Sequence, residues 1–110
     1  MPLSKRARIE IYLPERKGAG YRRLQKAIET EFLHTFGGCT VIKDTKGLYK
    51  GSDKNADVDR MSLLYADTPF DFDKNFQALS KYTDALRTAA LEAADEESIL
   101  IVVHEIYHSL

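Results

Sequence analysis

The segment His104-Glu105-Ile106-Tyr107-His108 carries the residue types of a zinc protease, H-E-x-x-H. On a helix that spacing sets two imidazoles on one face to hold the metal, with the glutamate as general base. Here the surroundings are β-branched, which predicts a strand. On a strand, residues four apart are separated by about 13 Å. Zinc takes its nitrogen ligands at about 2.0–2.1 Å, so the two imidazoles cannot share one ion. Only Ser109 and Leu110 follow, and neither is a third ligand. No metal and no cofactor is therefore expected. A different chemistry is open to His104. If it shares a sheet face with Glu10, Tyr12 and Tyr65, a His–carboxylate pair could move protons. The competing reading is a solvated or interface histidine.

A second constellation is Arg16, Lys17, Gly18, Gly20, Arg22 and Arg23. It follows a strand pattern and opens a helix pattern. Free backbone N–H groups, the helix dipole and the cations together suit an anion. The third glycine of a dinucleotide fingerprint is missing, since Arg23 stands in its place, and there is no Walker lysine-serine pair. A flexible basic loop is the alternative. Asp53, Asn55, Asp57 and Asp59 alternate like a calcium loop. Val58 and Leu64 occupy the glycine and glutamate positions that such a loop needs, so a solvated hairpin tip is expected. Cys39, the single cysteine, follows a glycine pair after a helix and reads as a structural thiol.

The elements that position these residues follow from periodicity. Arg8-Ile9-Glu10-Ile11-Tyr12-Leu13 alternates strictly, so Ile9, Ile11 and Leu13 share one face of a strand that Pro14 ends. Leu24, Ala27, Ile28, Glu31 and Phe32 recur at helical spacing, and Gly37-Gly38 stops that helix. Residues 39–44 and 58–66 read as strands, with a hairpin tip at Gly51 to Ala56 and a bulge or sharp twist at Gly47; the competing reading puts the turn at Thr45 to Gly47. Phe72, Phe76, Leu79, Thr83, Leu86 and Ala90 form a second helical stripe, capped by Asp71 or Asp73. Asp95-Glu96-Glu97 reads as a turn, and Ile99 to Val103 starts a last strand that extends toward Tyr107. The order is β-α-β-β-α-β. It predicts an α+β, ferredoxin-like sandwich: a four-stranded antiparallel sheet with both helices on one face. Residues 1–7 are expected to form a flexible arm and 8–110 a single domain.

The sequence resembles small uncharacterised bacterial proteins with a ferredoxin-like fold. The residues that carry the resemblance are Phe36-Gly37-Gly38-Cys39-Thr40-Val41, Lys46-Gly47-Leu48-Tyr49 and Glu97-Ser98-Ile99-Leu100-Ile101. It implies the fold and brings no activity with it. The usual strand order of that fold, 4-1-3-2, is implied by the same analogy, and signal-transduction proteins of the PII type share the topology.

The last strand is apolar on both sides. Ile99, Ile101 and Val103 alternate with Leu100, Val102 and Ile106. Two helices cover only one face of such a sheet, so the second set needs another cover. At about 25 cal/mol per Å2, hiding three such side chains is worth several kcal/mol. A homo-oligomer is expected, with a homodimer as the simplest form.

Composition sets the remaining bounds. The chain has 110 residues, 44% hydrophobic and 30% charged, with net charge −1. That balance describes a globular domain and gives no general pull toward nucleic acid. The halves differ, with 12 Lys/Arg against 6 Asp/Glu in residues 1–54 and 4 against 11 in residues 55–110. A compact fold interleaves these charges. The third strand pattern lacks the aromatic-basic segment of an RNA-recognition motif. No apolar run spans a bilayer and the start lacks a signal-peptide core, so a cytoplasmic protein without membrane contact is expected. Two functions remain. One is a non-catalytic oligomeric domain that binds a small anionic ligand or a protein partner. The other is a small enzyme of the dimeric α+β barrel type built around His104.

Overall fold

The computed structural model describes residues 3–15, 19–50, 56–94 and 99–108. Six elements follow one another: β1 (Ser4–Pro14), α1 (Ala19–Phe36), β2 (Thr40–Lys50), β3 (Ala56–Asp67), α2 (Phe76–Ala94) and β4 (Leu100–His108). The strands form one antiparallel sheet in the order β2-β3-β1-β4. This is the ferredoxin-like sandwich that the alternating periods predict, with both helices on one face.

Alternation along β1 divides its residues between two environments. Ala7, Ile9, Ile11 and Leu13 are buried, and with Leu64 and Ala66 of β3 they form the floor of the core. Leu24, Ile28 and Phe32 of α1 and Leu79 and Ala90 of α2 pack down on them. Leu24, Ile28 and Phe32 lie four positions apart and Leu79 and Ala90 eleven apart, about three turns, which is what one buried face of a helix requires. Gly37 ends α1 with φ +82° and its N–H donates to the Leu33 carbonyl at 2.9 Å. That backbone region is where glycine is favoured over any L-residue.

Three expectations about the chain path are corrected. The arm expected over residues 1–7 is strand from Ser4 onward, because Ser4 to Ala7 pair with His108 to Glu105 of β4. The bulge expected at Gly47 lies elsewhere: Gly47 pairs regularly with Asp59, and the register slips between Ile42 and Thr45. Asp44 carries the distortion with φ +60°, and its N–H donates to Glu15 Oε1 at 3.0 Å. The second helix starts at Phe76 rather than beside Phe72. Asp71 Oδ1 accepts from the Lys74 N–H at 3.0 Å, so Asp71 caps a turn that leads into α2. The hairpin tip expected at 51–56 and the acidic turn at 95–97 lie outside the described residues, apart from Ala56, which begins β3.

Between β3 and α2 the chain crosses the start of the central strand. Thr68 is fully buried; its N–H and its hydroxyl both donate to the Ala7 carbonyl at 2.9 Å. The Ala7 N–H donates to the Phe70 carbonyl at 2.9 Å. A buried hydroxyl with no partner would be costly, and here the backbone of β1 provides one.

Candidate functional site

The even-numbered residues of β1 face away from the helices. In register they lie beside the even-numbered residues of β4 and the odd-numbered residues of β3. Arg8 is opposite His104, Glu10 is opposite Val102 and Tyr65, and Tyr12 is opposite Leu100 and Leu63. The open sheet face therefore gathers Glu10, Tyr12, Tyr65 and His104 from three strands.

Three of these four touch in one chain. His104 Nε2 is in hydrogen-bond contact with Glu10 Oε1, and the Tyr12 hydroxyl donates to Glu10 Oε2 at 3.0 Å. Glu10 is largely covered, with 13% side-chain exposure, whereas His104 is 41% exposed. A carboxylate that engages one imidazole nitrogen fixes the ring and leaves the other nitrogen for a ligand. Burial pushes the Tyr12 hydroxyl above its ordinary value, and the bond to Glu10 and that residue's charge act in the same direction. Tyr12 is thus held as a neutral donor. Tyr65 does not join the chain. Its ring lies under the Arg8 guanidinium at 4.1 Å, and Arg8 also forms a two-pronged pair with Asp67, Nε to Oδ1 at 2.6 Å and Nη2 to Oδ2 at 3.1 Å.

The basic constellation is only partly placed. Gly20, Arg22 and Arg23 sit in the first turns of α1 and are exposed, while Arg16, Lys17 and Gly18 lie outside the described residues. The H-E-x-x-H segment is strand, with His104 and His108 on one face and Glu105 on the other, and no cluster of metal-ligating side chains occurs among the described residues. Cys39 is half-buried, its thiol lies 3.9 Å from the Thr40 carbonyl, and burial pushes it away from the reactive thiolate.

Two polar groups escaped sequence reasoning. At the far end of β1, the Tyr21 hydroxyl donates to Ser62 Oγ at 2.8 Å, and Ser62 Oγ donates to Glu15 Oε1 at 3.2 Å. Ser62 is 1% exposed. Its signal was available, as a serine on the apolar row that includes Leu64 and Ala66. Between the helices, Glu31 Oε1 accepts from Tyr82 at 3.1 Å and Thr35 at 2.9 Å. This pair closes one end of a groove of about 390 Å3 along Ala27, Ala85, Ala89 and Ala93.

No helix among the described residues is long and apolar enough to cross a membrane. Neither a protein-family model nor a curated protein matches the sequence. Solved structures with the same architecture are found. CutA1 from Oryza sativa is 16% identical with a TM-score of 0.59, over 98% of this chain and 85% of that one. CPII from Thiomonas intermedia K12, bound to ADP, AMP and acetate, is 21% identical with a TM-score of 0.50, over 100% and 94%. A further CPII structure, described as a nitrogen regulatory PII-like protein bound to ADP, AMP and bicarbonate, is 20% identical with a TM-score of 0.49, over 99% and 100%. At these identities the likeness is one of backbone, and the structures with TM-scores of 0.59 and 0.50 place this chain among the ferredoxin-like sandwiches.

Proposed function

We propose that this chain is a homo-oligomeric, cytoplasmic, non-catalytic domain that binds a small anionic ligand. The observation that carries the assembly is Leu100, which sits on the open face of an edge strand with 58% of its surface in water. Ile42 on the opposite edge is 43% exposed and Leu48 64%. Apolar surface exposed on both sheet edges favours a second copy, and a homodimer is the smallest assembly that covers it. Residues from Ser4 onward act in this reading as one domain, since Ser4 to Ala7 belong to β1.

The anion is assigned to the stretch Arg16 to Arg23, with Lys17, Gly18, Gly20, Arg22 and Arg23, at the start of α1. Helix dipole and exposed cations support the assignment. Adenine nucleotides are the first ligands to test, because CPII, whose backbone is similar, was solved with ADP, AMP and acetate. Sedimentation equilibrium should give an oligomer that Leu100→Asp dissociates. Thermal shift with ADP, AMP and phosphate should give a stabilisation that Arg22→Glu with Arg23→Glu removes. A lone protomer at high concentration ends the oligomer reading. A shift unchanged in the double variant ends the loop assignment, and a protein partner then becomes the reading to pursue.

The Tyr12–Glu10–His104 chain favours a second reading, a small enzyme of the dimeric α+β barrel type. Its proton-transfer group is His104, oriented by Glu10, with Tyr12 and Tyr65 beside it. Turnover of a small substrate that survives His104→Ala removes this reading.

A further inference from the structure

We infer that the corner of the open sheet face formed by Ser4, Arg6 and His108 is a second binding site, for a small oxyanion of the carboxylate or phosphate class. It lies at the start of β1, whereas Gly20, Arg22 and Arg23 follow the end of that strand. The eight steps along the strand from Arg6 to Pro14 span about 27 Å of extended chain, so the two sites are separate within a protomer.

The argument begins with unmet hydrogen bonding. Arg6 Nε and His108 Nε2 are buried side-chain nitrogens without a partner, and among the described residues they are the two such atoms. An unpaired buried donor is unfavourable, and native structures rarely keep one without a water, ion or ligand to meet it. These two are neighbours. Ser4 pairs with His108 and Arg6 with Ile106, so Arg6 and His108 are diagonal partners on one face, within reach of each other's side chains. The Ser4 hydroxyl belongs to the same face, directly opposite His108.

The other ionisable groups that β1 and β4 place on this face already have partners. Arg8 is held by Asp67 and stacks on Tyr65. His104 is held by Glu10, which also takes the Tyr12 hydroxyl. Lys5 faces the other side, within 3.7 Å of Asp73 and 3.5 Å of Glu105. Among the described residues Arg6 and His108 are thus left without a carboxylate, and their chemistry defines the missing group. A guanidinium offers a planar fork that matches two oxygens of a carboxylate or phosphate. An imidazole with a proton on Nε2 adds a third donor, and a serine hydroxyl adds a fourth. Both side chains are only partly covered, so a rotamer change brings the nitrogens to an arriving anion.

The test follows the Arg6 Nε–H and His108 ring resonances by NMR. The full chain is titrated with inorganic phosphate or with acetate at constant ionic strength. Both resonances should move saturably. Tighter phosphate binding assigns the site to phosphoryl groups, and equal or tighter acetate binding assigns it to carboxylates. Arg6→Lys keeps the charge but removes the Nε–H and the fork, and should weaken binding by about tenfold or more. His108→Gln is the second variant, read on the Arg6 resonance, and should also weaken binding. Arg22→Glu with Arg23→Glu should leave these shifts in place, which separates this site from the loop. Resonances that stay still with both anions overturn the proposal. So does Arg6→Lys binding as tightly as the parent, since charge alone would then explain the effect.

Discussion

The two faces of β1 differ more than any two elements do. On the covered face, Ala7, Ile9, Ile11 and Leu13 join the apolar core, and none exceeds 1% exposure. On the open face, Arg8, Glu10 and Tyr12 are each tied to a named polar partner on the same or a neighbouring strand. One face is held by area and shape, which are non-directional. The other is held by directional contacts, each worth little alone. A single strand can therefore specify the fold on every second residue and leave the alternate ones free for recognition.

The contrast can be broken most strongly from the covered side. Phe32, fully buried, presses on that face from α1. Phe32→Ala should cost about 3–5 kcal/mol, measured by urea denaturation, because a cavity adds to the lost transfer energy. A much smaller loss would mean that the helix layer packs loosely. On the open side the largest effect should come from Glu10→Gln. It removes the charged partner of His104 and weakens the acceptor of Tyr12, at a cost of about 1–3 kcal/mol. Stability equal to the parent would show that the Tyr12–Glu10–His104 chain is decorative.

Tyr12→Phe should cost about 0.5–1.5 kcal/mol. It also tests a pH limb. The Tyr12 pKa is raised from 10.0 by burial and by Glu10, so the folded state favours the neutral phenol. Its contribution is complete below the unfolded pKa, and it is lost as pH rises through the folded one. Alkaline unfolding should begin at pH values near the ordinary tyrosine range, and this share of it should vanish in the phenylalanine variant. A parent and a variant with superimposable alkaline limbs would count against a raised Tyr12 pKa. The smallest effect belongs to Asp67→Asn at the rim. Arg8 and Asp67 are 27% and 34% exposed, so the pair is worth under about 1 kcal/mol and should weaken as salt is added.

The covered face was legible from the sequence because its information is local. Period two in Arg8 to Leu13 and the helical spacing of Leu24, Ile28 and Phe32 each report on one element. The element order followed, and so did the fold. The joint placement of Glu10, Tyr12 and His104 was legible as a possibility, because parity along a strand puts them on a shared face once pairing is known. The bulge was not legible. Gly47 looked like the irregular residue, yet Asp44 takes the left-handed backbone because Glu15, distant in sequence, receives its N–H. The strand character of Ser4 to Ala7 was hidden for the same reason. Nothing in those residues is β-forming, and the pairing is imposed by the other end of the chain. Arg6 and His108 become a pair only through that register.

The central strand has a consequence for how the molecule is made. Residue 4 is paired with residue 108, and the whole of β4 lies against β1. During synthesis β1 emerges before the other three strands and its outer neighbour, β4, after them. Until β4 follows, one side of the strand has no mate, while β3 can already occupy the other. Closure of this sheet waits for β4 to be made, and until then the nascent chain presents a bare strand edge to anything that can pair with it.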